Sequence, residues 1–275
     1  MSNLLQRGIT GAIFVAVIVC AIIFKSWVFH SVFGLIALVG LNEFYGLFKK
    51  SGNSPHATLG VIFGFLIYTS GIALLYVPES AQKYLIGFSF MAFTVIALAE
   101  LYRKKKTPFE NIGVTLLGIF YVVLPMLLLN FIIEFDPDSF DITHFWPVLT
   151  IFILVWCSDT FAYLIGRKIG KHKLFERISP KKSWEGFFGG MLFSIIGAIT
   201  IAYFTEQSYF QYIIYGVIIS AFGTIGDLIE SMLKRSLGIK DSGNILPGHG
   251  GILDRFDAVL FVIPIIYFLH TYIFI

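Results

Sequence analysis

Four polar residues, Asp227, Glu230, Ser231 and Lys234, recur at i, i+3, i+4 and i+7 in an otherwise apolar run, so they share one face of a helix. A stripe of acid and base on an apolar helix is not a core-packing pattern. The segment that follows, SMLKRSLGIKDSGNILPGHGGILDRFD from Ser231 to Asp257, adds Arg235, Lys240, His249, Asp254, Arg255 and Asp257. Pro247, Gly248, Gly250 and Gly251 predict irregular backbone there, which near a membrane is expected only where it is buried in protein or lines a water-filled cavity. The carboxylates of Asp227, Asp254 and Asp257 suit Mg²⁺, which keeps several waters and takes one or two protein carboxylates plus substrate phosphates. Lys234, Arg235, Lys240 and Arg255 supply donors that match phosphate oxygens. Together these groups describe a nucleotide or polyphosphate site. Zinc is disfavoured because His249 has no histidine or cysteine partner at ligand spacing. A Ser/His/Asp hydrolase is disfavoured because no serine sits in a G-x-S-x-G context, and the glycine-rich signatures of soluble nucleotide folds are absent.

A second polar stretch, GRKIGKHKLFERISPKKSWEG from Gly166 to Gly186, lies between two apolar runs. A basic cluster of this kind is on base rates a topology signal or an anionic-lipid contact. Its end, from Ser179 to Gly186, carries more. Pro180 fits a first helical position after a Ser179 cap, and Ser183 fits the cap of an alternative start; either would aim backbone amides with Lys181 and Lys182 at an anion. Asp159, inside an apolar run, is either a functional carboxylate or half of a structural ion pair.

The elements that must position these groups are membrane helices. Of 275 residues, 57% are hydrophobic and only 13% charged, and the mean hydropathy is +0.82, where a soluble domain carries roughly a quarter charged residues. Apolar runs lie near Ile9 to Phe24, Trp27 to Phe48, Ala57 to Val77, Tyr84 to Leu101, Ile112 to Ile133, Phe145 to Ile165, Phe187 to Phe204, Phe210 to Leu233 and Ala258 to Ile275. Each is long enough to cross a core of roughly 30 Å as a helix, which predicts an all-α integral membrane protein with about nine spans. The runs do not alternate as barrel strands would. No small-residue cleavage site follows the first, which reads as a retained helix.

Arg7, Lys49, Lys50, Arg103 to Lys106 and both polar stretches fall on one side of this layout, against only Lys25 and Lys83 on the other. By the positive-inside rule the amino terminus and the polar stretches are cytoplasmic. The opposite side carries Glu134, Asp136, Asp138 and Asp141, so the net charge of +3 is strongly polarised. Cys20 and Cys157, inside apolar runs, imply neither a disulfide nor a metal site. The chemistry concentrates in residues 141–275, with residues 1–140 as scaffold. Small-residue faces at Gly34 and Gly40, or Gly186 to Gly190, suit helix contacts within one chain or between two.

The stretch 231–257 resembles the signature of the phosphatidate cytidylyltransferase (CDP-diacylglycerol synthase) family in Ser231, Lys234, Arg235, Lys240, Asp241, the His249-Gly250-Gly251 triplet, Asp254, Arg255 and Asp257. SPKKSWEG looks like an upstream block of the same family, whereas the first half is similar only in architecture. The resemblance implies Mg²⁺-dependent reaction of CTP with a phosphatidate lipid, giving CDP-diacylglycerol and pyrophosphate, with room for a second metal or a monovalent cation. It implies Asp227 and Asp254 as metal carboxylates, with Asp257 and Glu230 as ligands or as groups that orient a cation. Lys234, Lys240 and Arg255 would bind phosphate, with Ser231 and Arg235 beside them; Lys181, Lys182 and Ser183 would hold nucleotide or lipid phosphate. His249 would contact pyrophosphate or shape the loop. A homodimer in a bacterial cytoplasmic membrane, with the active site facing the cytoplasm and no nucleic-acid partner, completes the expectation. A CTP-dependent lipid kinase and an ion-coupled transporter are the competing readings.

Overall fold

The computed structural model describes residues 3–24, 26–133, 145–239, 242–243 and 250–274, except the side chains of 3–7, 79–82, 84–86 and 88–89. Lys240 and His249 lie outside the described residues. Nine helices occur among the described residues. They are α1 (Asn3–Ile23), α2 (Ser26–Lys50), α3 (Ala57–Ala73), α4 (Glu79–Arg103), α5 (Pro108–Ile132), α6 (Trp146–Ile169), α7 (Trp184–Thr205), α8 (Tyr209–Ser236) and α9 (Leu253–Tyr272). Every apolar run expected to span is occupied by a helix. Five of them, α2, α5, α6, α7 and α8, are long and apolar enough to cross a membrane. Between α6 and α7 the chain adds a small antiparallel hairpin, β1 (Lys173–Phe175) and β2 (Ser179–Ser183), with Lys173 opposite Ser183.

Local chemistry explains the helix ends. Pro108 opens α5, where its missing N–H would have no partner anyway, and Glu110 lies in that first turn. Lys49 and Lys50, Arg167 and Lys168, and Lys234 and Arg235 occupy the last turns of α2, α6 and α8, where cations complement the helix dipole. Within α5 the backbone passes through a π-helical turn at Ile119–Val123.

The chain divides into two compact units: Met1–Val17, Phe24–Asn130 and Leu237–Asp254; and Ile18–Ile23, Phe131–Ser236 and Arg255–Ile275. In the first, α2 buries Phe29, Phe33, Ala37, Leu41 and Phe44 along one face. Some of its buried polar groups are joined across helices. The Tyr45 hydroxyl donates to the Thr115 carbonyl at 2.6 Å. Glu100 accepts from Asn111 at 2.7 Å and lies 2.6 Å from His56 Nε2 and 3.2 Å from Arg103.

In the second unit the helices meet through small residues. A Cβ at Gly190 would lie 2.6 Å from the Ser158 carbonyl, and one at Gly226 would lie 2.6 Å from the Asp257 carbonyl and 3.0 Å from Phe261 Cβ. The Ser158 and Ser220 hydroxyls are bonded at 2.8 Å, Ser194 donates to the Gly216 carbonyl at 2.9 Å, and Phe161 stacks on Phe193 at 3.6 Å. Phe188, Tyr203, Phe204 and Phe210 are exposed while Ser158, Ser194 and Ser220 are buried. Apolar rings outward and hydroxyls inward is the arrangement that suits a lipid surround, where close backbone approach and interhelical hydrogen bonds hold helices together. The small-residue faces at Gly34 and Gly40, against Tyr68 and Val122, and at Gly186 and Gly190, against Ala162 and Ser158, are occupied within the chain.

A methyl group at Gly226 would press on the Asp257 carbonyl and on Phe261 Cβ, neither of them the free end of a flexible side chain. Gly226→Ala therefore costs on the order of 1–3 kcal/mol of overpacking, read as a lowered thermal midpoint of the purified protein in detergent, whereas Ala at the open Gly87 position inside α4 does not lower that midpoint.

Candidate active site

The hairpin exists because its two ends are tied to the start of α7. The Trp184 amide donates to the His172 carbonyl at 2.9 Å. The Glu185 carboxylate accepts from the Lys171 amide at 3.1 Å and the His172 amide at 3.2 Å, and lies 2.6 Å from His172 Nδ1. Ser183, buried, caps α7 by accepting from the Gly186 amide at 3.2 Å. Of the two helix starts open to the sequence, this selects the one at Ser183. Pro180 is not a first helical residue; Ser179 to Ser183 form a strand because the hairpin ladder supplies their backbone partners. Lys181 is exposed on β2.

Lys182, next along the strand, reaches α8. Its ammonium lies 2.6 Å from Asp227 Oδ2 and 3.5 Å from the Thr224 carbonyl. The Ser231 hydroxyl donates to the other Asp227 oxygen at 3.2 Å. One turn on, Glu230 and Lys234 form an ion pair whose carboxylate side chain is only 1% exposed. The shared face read from i, i+3, i+4 and i+7 is thus real, and its charges are partnered across it.

Helix α9 brings a third carboxylate. Asp257 carries its Oδ1 against the Ala258 amide at 2.8 Å and lies within charge-interaction range of Asp227, Glu230 and Asp159. Asp159 of α6 interacts with Asp227, Lys182 and Arg255. Asp159 therefore belongs to the same cluster as the predicted residues rather than to an isolated structural pair. Arg255 and Arg235 are both exposed.

Asp254 is held separately, within the first unit. Its carboxylate accepts from the Gly251 amide at 2.8 Å and the Ser242 amide at 3.2 Å. The last apolar run reads as starting near Ala258, but α9 already begins at Leu253, so Asp254, Arg255 and Asp257 stand on its first turns. An acidic residue at a helix start is favoured by the orphan amides and the dipole there. The Leu253 amide is satisfied by a residue that sequence reasoning missed: Glu43 of α2 accepts from it at 3.0 Å. The signal was present, because a lone acid in the apolar run from Trp27 to Phe48 is as costly as Asp159.

The donor set is made of acids and cations. Asp159, Asp227, Glu230 and Asp257 offer only hard carboxylate oxygens, faced by Lys182, Lys234 and Arg255. Among the described residues no three His, Cys, Asp or Glu side chains form a ready-made cage. Carboxylate oxygens of this kind suit Mg²⁺, which takes few protein ligands and shares substrate phosphate oxygens. Carboxylates interleaved with lysine and arginine can hold a metal-bound polyphosphate while opposing its charge.

Comparison with known proteins agrees with this chemistry. The model of the cytidylyltransferase family matches residues 5–273. A phosphatidate cytidylyltransferase of Staphylococcus aureus (strain COL) is 38% identical over 211 residues, covering 73% of this chain and 76% of the relative. One from Staphylococcus epidermidis is 37% identical over 208 residues, with 73% and 76% covered, and one from Staphylococcus haemolyticus is 36% identical over 234 residues, with 84% and 85% covered. A match over nearly the whole length, together with acids and cations gathered as nucleotide transfer requires, establishes that the chain belongs to the cytidylyltransferase family and is a nucleotidyltransferase.

Proposed function

We propose that this membrane enzyme transfers a cytidylyl group from CTP to the phosphate of phosphatidate, giving CDP-diacylglycerol and pyrophosphate. The observation that carries the reading is the interleaved cluster of Asp227, Lys182, Glu230, Lys234 and Asp257 in a chain whose relatives named above carry that activity in their names.

A phosphomonoester with a second pKa of about 6 is largely dianionic at neutral pH. One of its oxygens attacks the α-phosphorus of CTP, a new P–O bond forms, and the bond to the β-phosphate breaks with pyrophosphate leaving on its own oxygen. No strong general base is required. The barrier lies in bringing two polyanions together and aligning them, which preorganised cationic groups lower. Lys182 and Lys234, each held by a carboxylate, are proposed to take phosphate oxygens, with Lys181, Ser183, Ser231, Arg235, Lys240 and Arg255 as further contacts. Asp227 and Asp257, with Glu230 beside them, are proposed as metal carboxylates, and Asp254 as a further one. His249 is proposed to contact the leaving pyrophosphate. Mg²⁺, when bound, supplies charge neutralisation on the phosphates.

The apolar runs support about nine spans, and the positive-inside pattern supports a cytoplasmic amino terminus and a site at the inner face of a bacterial cytoplasmic membrane. The position of the candidate residues along the chain supports residues 1–140 as scaffold and 141–275 as the catalytic region. The family resemblance supports a homodimer.

Purified enzyme given phosphatidate and CTP labelled separately on the α- and γ-phosphates tests the reading. Transfer of the α label into lipid with Mg²⁺-dependent release of labelled pyrophosphate is expected; γ label entering lipid would make it a kinase, and no transfer would contradict both. Lys182→Met removes a charged donor and lowers kcat/KM for CTP by about 10- to 100-fold in initial-rate assays. Asp257→Asn lowers kcat by roughly 100-fold or more and raises the Mg²⁺ concentration needed for half-maximal turnover.

A further inference from the structure

Glu43 sits in the middle of the second half of α2, is only 7% exposed, and reaches a segment 210 residues away in sequence. Its Oε2 accepts from the Leu253 amide at 3.0 Å, and the Ile252 amide also bonds to the carboxylate. Two glycines are pressed against the same group. A Cβ at Gly243 would lie 2.5 Å from Oε1, and a Cβ at Gly251 would lie 2.7 and 2.8 Å from the two oxygens. Glu43 thus touches both described ends of the connection between α8 and α9, at 243 and at 251–253. Asp254 binds the same two ends from its own side, through the Ser242 and Gly251 amides.

The two carboxylates share the work of fixing this backbone, and their charges oppose each other across it. A charge buried in an apolar helix is costly. A polar uncharged acceptor would also satisfy a single amide, so the carboxylate is explained by what it does in addition. It accepts from consecutive orphan amides at a helix start, where the dipole favours negative charge, and it sets the position from which Asp254 departs.

We propose that Glu43 is a positioning residue for the nucleotidyl transfer: it clamps the backbone at 243 and 251–253 so that the Asp254 carboxylate is presented in one orientation. This rests on the reading of Asp254 as a metal-binding carboxylate. In this role Glu43 acts through Asp254.

The test combines hydrogen exchange of the purified full-length protein in detergent with Mg²⁺ titration of turnover, for Glu43→Ala, Glu43→Gln and Asp254→Asn. Glu43→Ala is expected to lose protection at the Gly251 to Asp254 amides and to raise the Mg²⁺ half-saturation by about tenfold or more, as expected for loss of a charged hydrogen-bond acceptor. Glu43→Gln, which keeps one acceptor oxygen and loses the charge, is expected to fall between the wild type and Glu43→Ala in both protection and Mg²⁺ response. Should Glu43→Ala not fold, Gly243→Ala crowds the same oxygen and is expected to raise the half-saturation in the same direction. Wild-type exchange and Mg²⁺ response in Glu43→Ala, or in Gly243→Ala if that variant must stand in, overturns the positioning role while an inactive Asp254→Asn leaves the site reading intact. An Asp254→Asn enzyme with wild-type Mg²⁺ dependence overturns the site reading and this inference with it.

Discussion

A carboxylate inside an apolar helix bundle has to be answered by a partner, and the rest of this structure follows from how that requirement is met. Desolvating one ionised acid costs several kcal/mol unless opposite charge or hydrogen-bond donors replace the lost water. In this chain several acids of each unit have such an answer. Asp227 has Lys182 and Ser231, Glu230 has Lys234, and Asp254 and Glu43 have backbone amides. The hairpin between α6 and α7 makes sense in these terms: it is the device that carries Lys182 to Asp227, and Glu185 ties that hairpin to the helix behind it. The close glycine contacts of the second unit serve the same end, since they let α8 and α9 approach until Asp257 feels the charges of Asp227 and Glu230.

The same partnering explains how such a site can treat polyanions. Lysines already held by carboxylates stay in fixed places instead of sweeping through solvent, so less rotamer freedom is lost when a phosphate arrives. Hard oxygens beside them suit a magnesium-bound triphosphate, and no protein group needs an unusual proton affinity when the attacking phosphate is already a dianion. The enzyme's contribution is alignment and charge balance at a membrane surface.

Much of this was legible in the residues. Apolar runs of sufficient length fixed the helices, and the spacing of Asp227, Glu230, Ser231 and Lys234 fixed their common face. Ser183 was visible as a cap, but choosing between it and Ser179 required the hairpin ladder, a long-range pairing that no local propensity encodes. The start of α9 was placed too late because proline and glycines dominate the preceding segment, while the signal for an early start sits on Glu43, far away in the chain. Glu43 itself was overlooked because its neighbours carry no motif. Asp159 was recognised as costly, yet only the approach of α8 and α9 identified the charges that surround it.

The central claim, that the α8 and α9 carboxylates take a divalent cation together with the nucleotide, is tested most directly by binding rather than turnover. Electron paramagnetic resonance of Mn²⁺, used as a spectroscopic substitute for Mg²⁺, can be titrated into the purified enzyme with and without CTP, for the wild type and Asp227→Asn. The account predicts Mn²⁺ binding that tightens when CTP is present and is lost in Asp227→Asn. Equal Mn²⁺ binding by the two proteins in the presence of CTP would contradict it.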